Sequence, residues 1–454
     1  MVFRTVKERT SDIALELAKK NIKPDKIHII ENIKPFSKAM EKILGIEYDG
    51  DSVVFMDSDC LILEDMRPFL ESNEYAYVDC FVLDKFRGYI HAGVHITRID
   101  VIKKMQTLES PENDIRLILR PESRLRNLAL AELKEGKTFK RFRIFHDFFQ
   151  QYKDIFSKYV IRELRSRNAH QRAKLNSCIN NWHNDDLDFF VAKQAIKYAR
   201  NKIPEDVAPQ IIAEIISNLE KISKKQIKKM HLKKKKALEF EEVLYLKGAL
   251  NALGQFDPKA EKVFCIGLSR TSTKSLTASL DILGYNISHY PTDKRTFEEL
   301  YSGNLNFTLL QDFDGISDIT VAPYYAQLDK LFPNSKFILS VREKESWLRS
   351  MENHWKERSP FDDPKISEIH LKVRRFLRAS VYGTYIFNRE RLSYVYDLHI
   401  KNVLDFFKDK PNSLLILDIC AGEGWEKLCK FLDKPLIDEE FPNIKTSEHL
   451  FDLI

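Results

Sequence analysis

The chain of 454 residues has only six cysteines: Cys60, Cys80, Cys178, Cys265, Cys420 and Cys429. They are scattered, with no C-x-x-C pair and no histidine at zinc-ligand spacing, which excludes a disulfide framework and fits reduced thiols in a cytosolic protein. The opening stretch, "MVFRTVKERTSD", is charged within four residues and lacks the apolar core of a secretory leader. No run approaches 18 apolar residues, so no membrane-spanning helix is expected. Internal repeats and low-complexity tracts are also missing. What is present is 43% hydrophobic and 31% charged residues, a globular composition, on a chain long enough for two or three domains. The net charge of +6 is mild for this length. It does not imply nucleic acid, although it favours anionic ligands.

Two stretches alternate short apolar runs with helical patterns. In the first, "MVFRTV", "KIHIIEN", "SVVFMDSD" and "YAYVDCFVL" read as strands, with "DIALELAKK" and "PFSKAMEKILG" as helices between them. From about 113 to 255 the pattern reads as mostly helical and ends in the lysine run "KKQIKKMHLKKKK" over 224–236. The run has two readings: a solvated helix face with Ile222, Ile227 and Met230 turned inward, or attraction to an anionic membrane surface or polysaccharide. The α/β rhythm restarts at "EKVFCIG", with "KFILSV" and "SLLILDI" as buried strands.

The stretch "FCIGLSRTSTKSL", 264–276, has the strand–loop–helix pattern of a phosphate site but not the Walker register. Counting from Gly267, Ser272 stands at the second glycine and Thr273 at the lysine. Backbone N–H groups, a helix N-terminus, Arg270, Lys274 and the hydroxyls of Thr271, Ser272, Thr273 and Ser275 would still suit an anion. The alternative is a helix start capped by Ser or Thr. Farther on, a strand delivers Arg342 at its C-terminal end, the edge that faces ligands in open α/β sheets, and Ser350 follows eight residues later.

Three ordered motifs, "GLSRTSTKSL", "LFPNSKFILSVREKESWLRS" and "GEGWEKLCKFLDKPLIDEEFPN", resemble the P-loop-like sulfotransferases over residues 260–454. The resemblance implies 3′-phosphoadenosine 5′-phosphosulfate as sulfuryl donor. Arg270, Thr271, Ser272, Thr273, Lys274 and Ser275 would hold its 5′ end, and Arg342 and Ser350 its 3′-phosphate. Arg270 and Lys274 would stabilise the transferring group, and Asp318 would act as the base, with Asp314 and His289 as alternatives. Ser269 replaces the family's usual proline and Ser272 its glycine; a non-glycine residue at positive φ is strained.

In the first stretch, "SVVFMDSDCLIL" runs a strand into Asp57-Ser58-Asp59, a carboxylate pair suited to Mg²⁺ or Mn²⁺ on a diphosphate. With "GYIHAGVHITRIDVI", "FRIFHDFFQQYKDI" and "DDLDFFVAKQA" it resembles a GT-A glycosyltransferase. That resemblance implies a nucleotide sugar, metal ligation by Asp57, Asp59 and His146, and nucleotide contacts from Thr5 and Arg9. The expected architecture is therefore α/β: a GT-A-like, Rossmann-like domain over 1–190, a helical connector over 191–258, and a P-loop-like sulfotransferase domain with a central parallel sheet over 259–454. The expected function is a bifunctional enzyme acting on a carbohydrate or glycolipid acceptor, in the cytoplasm or at the inner face of a membrane. Its rivals are a sulfotransferase whose N-terminal domain only binds carbohydrate, and a degenerate nucleotide- or glycan-binding scaffold.

Overall fold

The computed structural model describes residues 1–108, 114–257, 259 and 261–444. The chain divides into two compact units, Met1–Asn168 with Cys178–Asp257, and Ala169–Ser177 with Pro258–Ile454.

The first unit is built on a seven-stranded sheet: β1 (Val2–Thr5), β2 (His28–Glu31), β3 (Ser52–Asp57), β4 (Cys60–Ile62), β5 (Tyr77–Asp84), β6 (Gly88–Arg98) and β7 (Thr138–His146), in the order β2-β1-β3-β6-β5-β7-β4. β1 runs parallel to β2 and β3, β6 is antiparallel to β3 and β5, and β7 runs parallel to β5. Successive side chains on a strand face opposite ways. On β3 this sends Val54 and Met56 into one core and Val53 and Phe55 into another. β7 corrects the reading of 113–255 as mostly helical: "TFKRFRIFH" alternates basic and apolar residues, a half-buried strand pattern inside helical surroundings. The helices over 187–252 belong to this unit, where Ala192, Ala195 and Ala199 are fully buried.

The lysine run is not one helix. The helix Pro209–Lys229 stops at Met230, and His231 takes φ +55°. Ile222, Ile227 and Met230 are only half-buried, whereas Ser223 is buried. Lys228, Lys229, Lys233, Lys234 and Lys236 are exposed, while Lys235 Nζ lies 2.5 Å from Asp188.

The second unit carries β8 (Val263–Cys265), β9 (Ile287–His289), β10 (Gly315–Ser317), β11 (Lys336–Ser340) and β12 (Leu414–Leu417), in the order β12-β11-β8-β10-β9. Every pairing is parallel. Such a sheet is covered on both faces. Phe264, Phe337 and Leu339 enter the core on one side, and Val263, Cys265 and Ile338 the core on the other. This is the central parallel sheet expected of the C-terminal half. No helix among the described residues is long and apolar enough to cross a membrane.

Candidate functional site

Parallel pairing aligns the C-terminal ends of the five strands along one edge of the second sheet, where α/β proteins place ligands. After β8 comes the loop to the helix Thr273–Ile282; after β10, Asp318; after β11, Arg342; His289 ends β9. Asp314 precedes β10 and sits at the opposite edge, accepting from the Asn286 amide at 2.9 Å. That position removes it as a candidate base.

The loop is tightly held. A Cβ on Gly267 would overlap Ser340 Oγ and lie 2.7 Å from the Ser340 carbonyl oxygen, so only glycine fits. Trp347 Nε1 donates to the Ser269 carbonyl at 2.9 Å, and the Ser269 amide donates to Tyr382 Oη at 3.2 Å. Arg270 and Ser272 adopt φ of +73° and +66°, so serine occupies the left-handed position the sequence resemblance reserves for glycine. The capped-helix alternative does not describe this start. Ser272 makes no side-chain cap bond, and its Oγ lies 3.2 Å from Cys420 Sγ instead. The N-terminus of the helix keeps its positive end for another partner.

Several hydroxyls assigned to a ligand turn inward. Thr271, 1% exposed, donates to the Leu268 carbonyl at 2.7 Å, and Ser275 Oγ accepts from the Ile444 amide at 3.0 Å. Thr273 and Ser269 donate to Asp318 at 2.5 and 2.6 Å, and the Ile319 amide adds a bond of 2.7 Å. Burial disfavours the Asp318 carboxylate, but hydrogen bonds from His289, Ser269 and Thr273 outweigh it and hold the group well below the usual range. A carboxylate so occupied is a weak base, and its geometry is that of a brace for the loop. His289 Nε2 stands 3.4 Å from Asp318 Oδ2 and 3.3 Å from Thr273 Oγ1.

The two phosphate candidates eight residues apart are divided differently from expectation. Arg342 donates to Ser346 Oγ from Nε at 3.0 Å and from Nη2 at 2.9 Å, and its Nη1 reaches the Arg270 carbonyl at 3.3 Å. Ser350 instead accepts from Arg270 Nε at 3.0 Å. Ser346 and Ser350 are one turn apart on the helix Lys344–Lys356, so Arg270 and Arg342 are set side by side. Burial and the neighbouring Arg342 push the Arg270 guanidinium below its ordinary pKa. Lys274 is half-buried on the first turn of the 273–282 helix. Sequence reasoning missed Ser346, although its i,i+4 spacing from Arg342 was there to be read.

In the first unit the Asp57, Asp59 and His146 set does not converge as a triad. β3 ends at Asp57, and the Ser58 amide turns back to the Arg4 carbonyl at 2.9 Å. Asp57 therefore pairs with Arg4 Nε at 2.7 Å, while Asp59 faces away toward His146 Nε2 at 3.8 Å. Asp59, Cys60 and His146 gather ligand atoms in one place, as do Asp84, His146 and Asp147. The ammonium of Lys158 already contacts both Asp59 and Asp147. Arg87 lies 2.9 Å from Asp84, and His146 Nδ1 lies 2.6 Å from it. Side-chain cations thus neutralise the carboxylates, and in this arrangement the residues do not fit a divalent ion. Lys158, a helical lysine in the run "YKDIFSKYV", gave no sequence signal. Thr5 and Arg9 are likewise engaged, Thr5 with Ser11 at 2.7 Å and Arg9 with the Lys236 carbonyl at 2.6 Å.

A family model described as a sulfotransferase domain matches residues 262–450. Ava biosynthesis cluster protein M of Aspergillus versicolor is 27% identical over 217 residues, which cover 41% of this chain and 82% of that protein. The matched stretch contains the glycine-cradled loop, Asp318, Arg342 and the serine-bearing helix, and residues 262–450 form a sulfotransferase domain.

Proposed function

We propose that the second unit transfers a sulfuryl group from 3′-phosphoadenosine 5′-phosphosulfate to an acceptor hydroxyl. The observation that carries this reading is the side-by-side placement of Arg270 and Arg342 on Ser350 and Ser346, next to a helix start without a side-chain cap. Backbone N–H groups at that start and Lys274 suit the 5′ end of the donor; Arg342, Ser346 and Ser350 suit its 3′-phosphate. Arg270 and Lys274 would offset charge developing on the transferring group. Asp318 fixes the loop and orients His289, whose other ring nitrogen is then the proton acceptor for the hydroxyl, following the general logic of an Asp-oriented imidazole.

Calorimetry with 3′-phosphoadenosine 5′-phosphate in the presence of chelator tests the reading. Binding is expected without metal, and Arg342→Ala should weaken it by about 1.5–3 kcal/mol, the range for charged hydrogen bonds. Equal affinity for adenosine 5′-phosphate, which lacks the 3′ group, would refute it.

A second activity, glycosyl transfer by the first unit, is favoured by one observation: Asp59, Asp84, Asp147 and His146 gather at strand ends of a mixed sheet. In this reading a GT-A-like site would take a nucleotide sugar, and Asp59 and His146 would hold Mn²⁺ or Mg²⁺ only in an arrangement where Lys158 has left Asp59. The acceptor common to both units would be a carbohydrate or glycolipid. Binding of a uridine diphosphate sugar that is unchanged by chelator would remove the metal from the scheme, and no binding at all would remove the activity.

A further inference from the structure

The helix Lys344–Lys356 presents Ser346, Ser350 and His354 one turn apart. Each receives an arginine: Arg342 on Ser346, Arg270 on Ser350, and Arg358, whose Nη1 lies 3.3 Å from Nδ1 and 3.4 Å from Nε2 of His354. A guanidinium only donates, so the imidazole accepts and is neutral. The first two arginines belong to the donor site. The third continues the row beyond it.

Arg358 is backed by two buried arginines. Arg378, 4% exposed, donates to the Arg358 carbonyl at 2.7 Å and the Tyr385 carbonyl at 3.0 Å, and stacks 4.2 Å from the Trp355 ring. Arg374, 7% exposed, donates to the Ser359 carbonyl and to Asp363, both at 2.8 Å. Asp363 is the one carboxylate that ion-pairs with any of the three among the described residues. Buried cations are ordinarily matched by anions. Three guanidiniums against one carboxylate leave an excess of positive charge. Its effect shows on the neighbours: burial and then Arg358 push His354 down to about 3, and burial and then Arg374 push His370 down to about 4. The cluster reaches the donor loop through Trp355, edge-on to Tyr382 at 5.4 Å, whose hydroxyl accepts from the Ser269 amide.

We infer that Arg358, Arg374 and Arg378 form an acceptor-side subsite for a carboxylate or phosphate group on the molecule to be sulfated. This rests on the sulfotransferase reading and deepens it: the acceptor is anionic before transfer. Half-buried Arg358 is the residue placed to contact it, with Arg374 and Arg378 supplying the field.

The test is calorimetric titration of the full chain, saturated with 3′-phosphoadenosine 5′-phosphate at fixed ionic strength, with inorganic phosphate and benzoate as separate probes. At least one should bind the wild type, and which one distinguishes a phosphorylated from a carboxylated acceptor. Arg358→Gln should weaken that binding by about 10–150-fold, the worth of one charged hydrogen bond, and leave nucleotide affinity unchanged. Lys356→Gln, an exposed charge loss on the same helix, should change neither the probe affinity nor the nucleotide affinity. The inference is overturned if neither probe binds the nucleotide-saturated protein, if Arg358→Gln has no effect, or if it weakens the nucleotide, which would assign Arg358 to the donor. Failure of the wild type to bind the nucleotide sinks the parent reading along with it, whereas nucleotide binding without a probe response sinks this inference alone.

Discussion

Ser272 holds a left-handed backbone at φ +66°, a conformation that costs a non-glycine residue roughly 1–3 kcal/mol. Replacing it with glycine relieves that strain but gives up the Cys420 contact and adds freedom to the unfolded chain. We expect Ser272→Gly to stabilise the second unit by about 1 kcal/mol, or about 2–4 °C in its melting temperature. A melting temperature that falls would show the side-chain contact to be worth more than the strain. Asp318 makes the opposite case. Its folded pKa is depressed, so its contribution to stability is present above the unfolded carboxylate value of about 4 and is withdrawn as pH falls toward the folded value. Asp318→Asn should therefore destabilise the unit by about 1–3 kcal/mol at neutral pH and flatten its acid unfolding below about pH 4. Because the loop loses its brace, donor affinity should fall along with turnover; an unchanged donor affinity would restore Asp318 as a base acting on the acceptor alone.

Among elements, β1, β2, β3, β5, β8, β11 and β12 were legible because apolar runs and Gly, Pro or Asp punctuation are local signals, whereas β4, β9 and β10, three residues each, are too short to show a pattern. β7 was not, since Lys140, Arg141 and Arg143 interrupt its apolar residues and mimic a helical surface. The loop after β8 was legible as a strand–loop–helix connection, but which hydroxyls face inward depends on Ser340 and Asp318, distant in sequence. The same limit hid Lys158, supplied to the Asp59 cluster by the helix Tyr152–Arg165. Truncation of that lysine leaves two buried carboxylates without their shared cation. Lys158→Met should destabilise the first unit by about 3–5 kcal/mol, read by denaturant unfolding. If Mn²⁺ restores the loss, the cluster can hold a metal once the ammonium is gone; if stability is unchanged without metal, the ion pair has no structural role.

At the scale of the whole molecule, the segment Ala169–Ser177 belongs to the second unit although it lies within the chain of the first. Lys174 Nζ lies 2.6 Å and His170 Nε2 3.1 Å from Asp281, whose carboxyl burial would raise but which these two neighbours hold at about 2. Asn176 donates to Glu439 at 2.6 Å. A protein cut at residue 258 therefore yields a C-terminal piece that has lost part of itself: Asp281 is left buried without Lys174 and His170, at a cost of about 3–5 kcal/mol. That piece should melt well below the corresponding transition of the full chain, and a synthetic peptide spanning 166–180 should raise its melting temperature when added in trans. A piece equally stable with and without the peptide would show the segment to be a passenger. During synthesis the dependence acquires a direction: these nine residues leave the ribosome long before Asp281 and the core that takes Ala173, and must wait for them.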